Sequence, residues 1–306
     1  MMRRLCLAIL FVLAFIGAPA QATTIQRVVS PGGIEAWLVQ EPSLPLIALN
    51  FAFVGGASQD PTDKPGVGYM VSSLLDDGAG ELDTKAFHQR LEDNAAELRF
   101  SVTHDYFFGS IRVLRERQEQ SFDLLRLALN EPRFDTDAVN RVRDQIIAAL
   151  RRESTDPGSI ATRVWWRAAF PNHPYGRSTN GELTSIPTIS VDDLRAYQKR
   201  VLTRGALKVT AVGDIDPASL GKVLDLVFGK LPASGALATI PDVTMQGADR
   251  RIVTQLNVPQ SVVRLGGVGL PRKDPDFVQG YIVNHILGGG SFTSRLYDEV
   301  REKRGL

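Results

Sequence analysis

Apolar and polar residues alternate, or β-rich apolar residues cluster, through residues 34–39, 48–54, 98–102 and 107–113. Such runs predict half-buried strands, because successive side chains of a strand point to opposite faces of its sheet. The period lengthens to that of a helix over 66–77, 84–94, 118–129 and 136–154, with Asp83-Thr84 and Asp135-Thr136 as N-caps. Residues 191–201 predict a helix capped by Ser190. Residues 207–212 predict a short strand stopped at Gly213-Asp214, and 217–228 a further helix. Strands and helices in this mixed order point to an α+β fold rather than a doubly wound sheet.

Residues 233–249 are poor in charge and rich in Ala, Gly, Pro and Thr, and they read as a linker. Beyond it, 251–256 and 262–267 predict strands and 276–287 a helix. An internal echo joins the two parts. Gly68 to Gly78 (GYMVSSLLDDG) and Gly280 to Gly290 (GYIVNHILGGG) share Gly, Tyr, Val, Leu and Gly at an offset of 212. Each copy follows an apolar strand and an Asp-Pro, Asp60-Pro61 and Asp274-Pro275. The shared order predicts a duplicated domain: residues 23–232 as the first unit and 250–306 as the start of a second. The chain stops at Gly305-Leu306 inside a helical pattern, so this second unit is expected to be cut short and to expose apolar surface.

A net charge of +1 across 306 residues gives no footprint for nucleic acid or an anionic membrane. Residues 1–22 have the form of a signal peptide: Arg3 and Arg4, an apolar run from Leu5 to Gly17, then Ala20-Gln-Ala22 as the cleavage site. The alternative, an uncleaved anchor, meets a run too short to span a bilayer comfortably. A lipidated cysteine would sit at the cleavage site, and Cys6 does not. With Cys6 removed no cysteine remains, which suits an oxidising compartment and makes a periplasmic protein the expectation, with no stable membrane anchor after cleavage.

Candidate chemistry is sparse. His88 and Glu92 have helical i, i+4 spacing, which reads more readily as an exposed pair than as two metal ligands. His104-Asp105 reads as a surface pair, His173 lies in a turn-rich loop, and His285 reads as packed or rim-exposed in the second apolar helix. There is no G-x-S-x-G motif and no P-loop. Gly288, Gly289 and Gly290 form either a plain helix terminus or a flexible lip over a substrate channel; three glycines permit close backbone approach or φ > 0.

The run SRLYDEVREKRGL (Ser294 to Leu306), the FPNHPYG loop, the strand and turn at 209–214 and the echo together resemble the insulinase/pitrilysin family of zinc peptidases, over nearly the whole chain after residue 22. The resemblance implies a duplicated α+β domain, each copy an antiparallel-rich sheet with helices packed on one side. It also implies a His-x-x-Glu-His helix at residues 69–73, where two His four residues apart would hold zinc and the Glu would activate its water. This chain carries Tyr69, Ser72 and Ser73 there. The family's third ligand falls at Ala148-Ala149. No bound zinc is therefore expected on this chain.

The family pattern makes Arg301 the arginine that reaches a bound peptide beside the zinc, with Gly288 to Gly290 close by. Processing-peptidase-like members divide labour between a zinc-bearing subunit and a partner without the motif. The resemblance thus implies a non-catalytic, substrate-binding subunit, with peptide as substrate and a zinc-bearing paralogue as partner. The rival expectation is a stand-alone peptide-binding or scaffold protein.

Overall fold

The computed structural model describes residues 24–247 and 249–306, and the expected signal peptide lies outside them. Six runs pair into one sheet: β1 (Ile25–Val29), β2 (Glu35–Gln40), β3 (Leu46–Val54), β4 (Glu97–Val102), β5 (Tyr106–Leu114) and β6 (Leu207–Gly213), in the order β1-β2-β6-β3-β5-β4. Every neighbouring pair is antiparallel except β2 with β6. The last of these strands therefore enters the middle of the sheet, between β2 and β3.

Side-chain alternation decides which face is buried. Ile47, Leu49, Phe51 and Phe53 of β3, Phe107, Ile111 and Val113 of β5, and Val209 and Ala211 of β6 all point into the core. Seven helices follow in chain order: α1 (Val67–Ser72), α2 (Thr84–Asp93), α3 (Gln118–Asn130), α4 (Thr136–Glu153), α5 (Pro157–Ala169), α6 (Val191–Val201) and α7 (Pro217–Phe228). Met70 of α1, Phe122 and Leu125 of α3, Leu194 and Tyr197 of α6, and Leu224 and Phe228 of α7 join the strand residues in a single core cluster. The opposite face carries Trp37, Tyr106, Phe108 and Val212, each at least 37% exposed. The expected antiparallel-rich sheet with helices on one side is thus observed.

Local chemistry starts these helices where the sequence marks them. The Asp83 side chain accepts the Ala86 N–H at 2.8 Å, Asp156 the Ser159 N–H at 2.7 Å and Asp216 the Ser219 N–H at 2.9 Å. Ser190 and Asp193 form a reciprocal capping box on α6. Asp135 starts α4 without capping it, because its carboxylate is held by the Arg133 guanidinium at 2.6 Å.

Four differences from expectation stand out. β1 and α5 are additional. α5 carries apolar residues at helical spacing, Ile160, Val164 and Ala168, and most of its residues are half-buried. α1 ends at Ser72, well short of residue 77, and tight turns continue to Gly78 at φ +109°. Residues 251–256 and 262–267 are not strands, and Val253, Val263 and Leu265 are 73, 76 and 88% exposed. A strand is stable only when its backbone is paired and one face is covered; among the described residues neither run pairs with a strand. The second echo copy forms α8 (Phe277–Asn284) and continues as a π-turn, His285–Gly289.

Both echo glycines mark close approaches. A Cβ on Gly68 would lie 2.7 Å from the Tyr197 hydroxyl, and one on Gly280 would lie 2.7 Å from Leu270 Cδ1. The apolar positions fare differently. Met70, Val71, Leu74 and Leu75 after Gly68 are at most 1% exposed, whereas Ile282, Val283, Ile286 and Leu287 after Gly280 are 49–64% exposed. No helix among the described residues is long and apolar enough to cross a membrane.

Candidate functional site

The helix in the metal-motif position, α1, is begun from a distance. Its N-cap, Gly66, has φ +102° and offers no side chain. Asp60 replaces it: Oδ2 accepts the Gly66 N–H at 2.7 Å and Oδ1 the Gly68 N–H at 2.9 Å. Asp60 is 5% exposed, and burial pushes its carboxyl up to about 7, against the opposing pull of the two N–H groups and of Arg177 and Arg200. Those arginines hold the neighbouring backbone: Arg200 Nη2 donates to Gln59 O at 2.7 Å and Arg177 Nη1 to Asp60 O at 3.4 Å. Behind α1, the buried Tyr197 phenol donates to Gly56 O at 3.0 Å. Sequence reasoning found Asp60 only as part of the echo. In the second copy Asp274 Oδ1 accepts only the Asp276 N–H, two residues on, at 2.9 Å.

On α1 the two serine motif positions turn onto their own helix, while Tyr69 packs against the core. Ser72 Oγ donates to Tyr69 O at 2.8 Å and Ser73 Oγ to the same carbonyl at 3.0 Å. Both hydroxyl protons are used locally, a pattern of serine back-bonding that also weakens helix continuation. Neutral Tyr and Ser oxygens are poor zinc donors in any case. α4 carries Ala148, exposed, and Ala149, half-buried, and neither has a donor atom. The residues at these five positions do not fit a zinc ion. Among the described residues no three His, Cys, Asp or Glu side chains cluster as a metal site elsewhere.

What remains at the end of the α1 turn is an ion pair. Arg141 Nη2 of α4 meets Asp77 Oδ2 at 2.5 Å, while Asp77 Oδ1 is buried without a partner. Arg141→Ala leaves this carboxylate buried and wholly unpaired. We expect a loss of about 1–3 kcal/mol, below the roughly 3–5 kcal/mol of a fully buried pair, because the arginine is 46% exposed. A lower urea midpoint at unchanged m-value reads it. Next to it, burial raises the Asp76 carboxyl above the usual carboxylate range.

The second expected constellation lies on the C-terminal segment. Gly288 and Gly289 belong to the π-turn, and Gly290 follows at φ −86°. None of the three has a positive φ; the left-handed residue here is Ser291, at φ +31°. What the glycines allow is close approach. A Cβ on Gly289 or Gly290 would lie 3.3 Å from the His285 ring, and one on Gly288 3.1 Å from Leu296. Arg301 is exposed on the π-turn Tyr297–Glu302, and its guanidinium makes no ion pair among the described residues. Its helical neighbours Asp298 and Glu302 form no ion pair with it. Lys303 takes Asp298 at 2.9 Å, while Lys303 and Arg304 share Glu299.

The histidines divide. His88 and Glu92 are exposed, and His285 is exposed beside its glycines. His104 is more than a surface residue: it packs 5.6 Å from Trp166 and 5.3 Å from Tyr175, and its Nε2 bonds Arg177 O at 3.2 Å. His173 is 7% exposed in the same aromatic cluster.

Comparison with known proteins covers nearly the whole chain. Residues 39–182 match the model of the insulinase family (peptidase family M16), and residues 188–306 match that of the peptidase M16 inactive domain. The non-peptidase homolog YmxG of Helicobacter pylori is 25% identical over 293 residues, 95% of this chain and 67% of that protein. The uncharacterized zinc protease Mb2805c of Mycobacterium bovis is 23% identical over 291 residues, 94% and 66% of the two chains. The chain therefore spans about two thirds of the length of these relatives. Among solved structures, the peptidase M16 inactive domain from Pseudomonas fluorescens superposes with a TM-score of 0.79 at 26% identity, covering 92% of this chain and 69% of that one. Pitrilysin shares the fold at a TM-score of 0.63 and 18% identity, over 75% of this chain and 25% of its own.

Proposed function

Since the chain belongs to the insulinase family, peptidase family M16, as an inactive-type peptidase homologue, we propose that it is the non-catalytic, substrate-binding subunit of a periplasmic zinc-peptidase pair. The reading rests on one observation above all. The metal-motif helix keeps its fold and its anchoring by Asp60, yet Tyr69, Ser72 and Ser73 stand at its motif positions with both serine hydroxyls bonded to Tyr69 O. The partner supplies the zinc and the general base. This chain supplies peptide-binding surface, and Arg301 contributes a planar fork of donors to a peptide carbonyl at the partner's metal. Two features support that role for Arg301: the guanidinium is exposed, and no carboxylate among the described residues neutralises it. The signal-like segment 1–22 supports export to the periplasm.

The test compares the purified chain alone with the chain co-purified with a His-x-x-Glu-His paralogue from its own genome. Alone, it is expected to hold no stoichiometric zinc by elemental analysis and to cleave no peptide library. Together, chelator-sensitive cleavage appears, and Arg301→Ala lowers kcat by about 10²-fold, the usual effect of losing one donor to a developing oxyanion. Chelator-sensitive cleavage by the isolated chain would overturn the reading.

A further inference from the structure

A cavity of about 360 Å³ opens at the rim of the sheet, at the end where the parallel neighbours β2 and β6 begin. Its volume lies in the lower part of the range of small-molecule sites. Gly33, Ile34 and Glu35 line it from the β1–β2 turn and the start of β2, together with Arg204, Leu207 and Ala233. Both sides are fixed in place. Ser30 Oγ and the Gly32 N–H donate to Asp225 Oδ1 at 2.5 and 3.1 Å, and the Ser30 N–H donates to Ile34 O at 2.9 Å, which closes the turn. Opposite, the Arg204 and Gly205 N–H groups donate to Pro232 O and Ala233 O, each at 2.9 Å.

Arg204 is what an ordinary surface hollow does not explain. It is half-buried, its Nε is buried without a hydrogen-bond partner, and among the described residues its guanidinium has no acceptor and no ion pair. A buried donor without an acceptor is costly and calls for a cause. Arg143 and Arg200 also have an unbonded Nε, but each spends an Nη on a backbone carbonyl, Ile189 O at 2.9 Å and Gln59 O at 2.7 Å. Arg204 has no such outlet. The nearby carboxylates are already engaged: Glu35 accepts Arg27 Nη2 at 2.7 Å, and Asp225 is held by Ser30 and Gly32. Lys208, close enough to act on Glu35 alongside Arg27, makes no ion pair among the described residues. The cavity thus combines uncommitted positive charge with the apolar side chains of Ile34 and Leu207.

We propose that this cavity is a carboxylate site that takes the free C-terminus of a peptide, with Arg204 gripping the carboxylate and Ile34 and Leu207 beside the last side chain. A guanidinium meets both oxygens of a carboxylate through two parallel N–H groups, and Nε–H is one member of such a fork. An α-carboxylate carries its own side chain next to the charge, which suits a cation set beside apolar residues. An Asp or Glu side chain would bring polar backbone there instead. The carboxylate chemistry stands on Arg204; the choice of a peptide rests on the reading above that the chain binds peptide. The location suits that reading. Leu207 pairs with Phe53 near the end of β3, and from that end the chain leads through Asp60 into the metal-motif helix α1. A peptide fixed at Arg204 by its terminus therefore starts on the edge of the sheet from which α1 departs.

The chain alone, without a partner, is titrated with acetyl-Ala-Leu carrying a free carboxylate, with the same peptide amidated, and with acetate. Calorimetry reads affinity, and the Nε–H resonance of Arg204 in protein labelled on arginine reads the site. The free acid is expected to bind and to shift that resonance. Amidation should weaken binding by about 10–100-fold, the effect of losing a charged hydrogen bond, and acetate should bind far more weakly than the peptide acid. Arg204→Gln should abolish the preference for acid over amide, and Arg204→Lys, which keeps the charge and loses the fork, should retain part of it. Equal affinity for acid and amide, an Arg204 resonance that the acid does not move, or acetate binding as well as the peptide would each overturn the proposal. These three outcomes use wild-type protein, so a folding failure of either variant does not shelter it. If peptides bind elsewhere on the chain while Arg204 stays silent, this site falls and the peptide-binding reading stands. If Arg204 responds but no partner-dependent cleavage appears, the site stands and the peptidase pairing falls.

Discussion

Gly109→Val is expected to destabilise the protein by about 3 kcal/mol and to lower its melting temperature by about 6–12 °C. Gly109 of β5 is paired with Phe51 of β3 across the ladder, and the Phe51 ring lies over the glycine. A Cβ there would lie 2.1 Å from Cζ and 2.3 Å from Cε2 of that ring. The ring cannot simply swing aside. It stands edge-on to Phe53, Phe100 and Phe228 at centroid separations of 5.9, 6.3 and 5.3 Å, and through Phe228 the sheet is locked to α7. Moving it strains four aromatic residues at once, which places the cost at the upper end of the overpacking range. Phe51→Leu in the Gly109→Val background should recover part of the loss by making room. Thermal denaturation of the three proteins checks this, and an unchanged melting temperature in Gly109→Val would show that the ring does not need the glycine.

Asp60→Ala is expected to cost about 2–6 kcal/mol, because it strands the Gly66 and Gly68 N–H groups in the protein interior at about 1–3 kcal/mol each. Its effect should be localised, with amide exchange rising first across α1. The same residue makes a separate prediction about pH. The folded-state pKa of Asp60 is raised from 3.8 to about 7. Stability contributed by a raised carboxyl is fully present below about pH 4 and is lost as pH rises towards 7. Carboxylates held low by hydrogen bonds, such as Asp156 and Asp216, act in the opposite sense, since their contribution is lost as pH falls. The raw pH profile of the wild type mixes both. The difference between wild type and Asp60→Asn isolates Asp60, and the wild type should lose ground steadily between about pH 4 and pH 7. A flat difference curve would mean that the two N–H groups and the nearby arginines cancel the effect of burial, and a rising one that they outweigh it.

The regular elements were legible because their causes are local. Period-two alternation in 48–54 and 107–113 needs only one covered face to become a strand, and Ser190 and Asp216 cap α6 and α7 through N–H groups three residues on. α5 was missed although Asp156 and Pro157 start it as Asp216 and Pro217 start α7. The opposite error occurred at 251–256 and 262–267, where strand-like side chains find no strand to pair with among the described residues. The candidate site was legible as a set of identities. Tyr69, Ser72, Ser73, Ala148 and Ala149 are read directly, and their lack of soft or anionic donors follows from their chemistry. Where the serine hydroxyls turn was not legible, nor that Gly288 to Gly290 take no positive φ. Those depend on rotamers and on neighbours such as His285 and Leu296.

By itself, then, the order of residues determined most strands and helices of the first unit, and that the motif positions hold no zinc-binding atoms, since each follows from periodicity or from the atoms a side chain possesses. Only the tertiary structure decided that β6 enters the middle of the sheet, that Asp60 starts α1 from across a loop, and that Gln59 and His173 fasten residues 232–246. Each of these joins groups distant along the chain, and a hydrogen bond or a buried carboxylate exists only once folding has brought its partner within about 3 Å and removed the water between them.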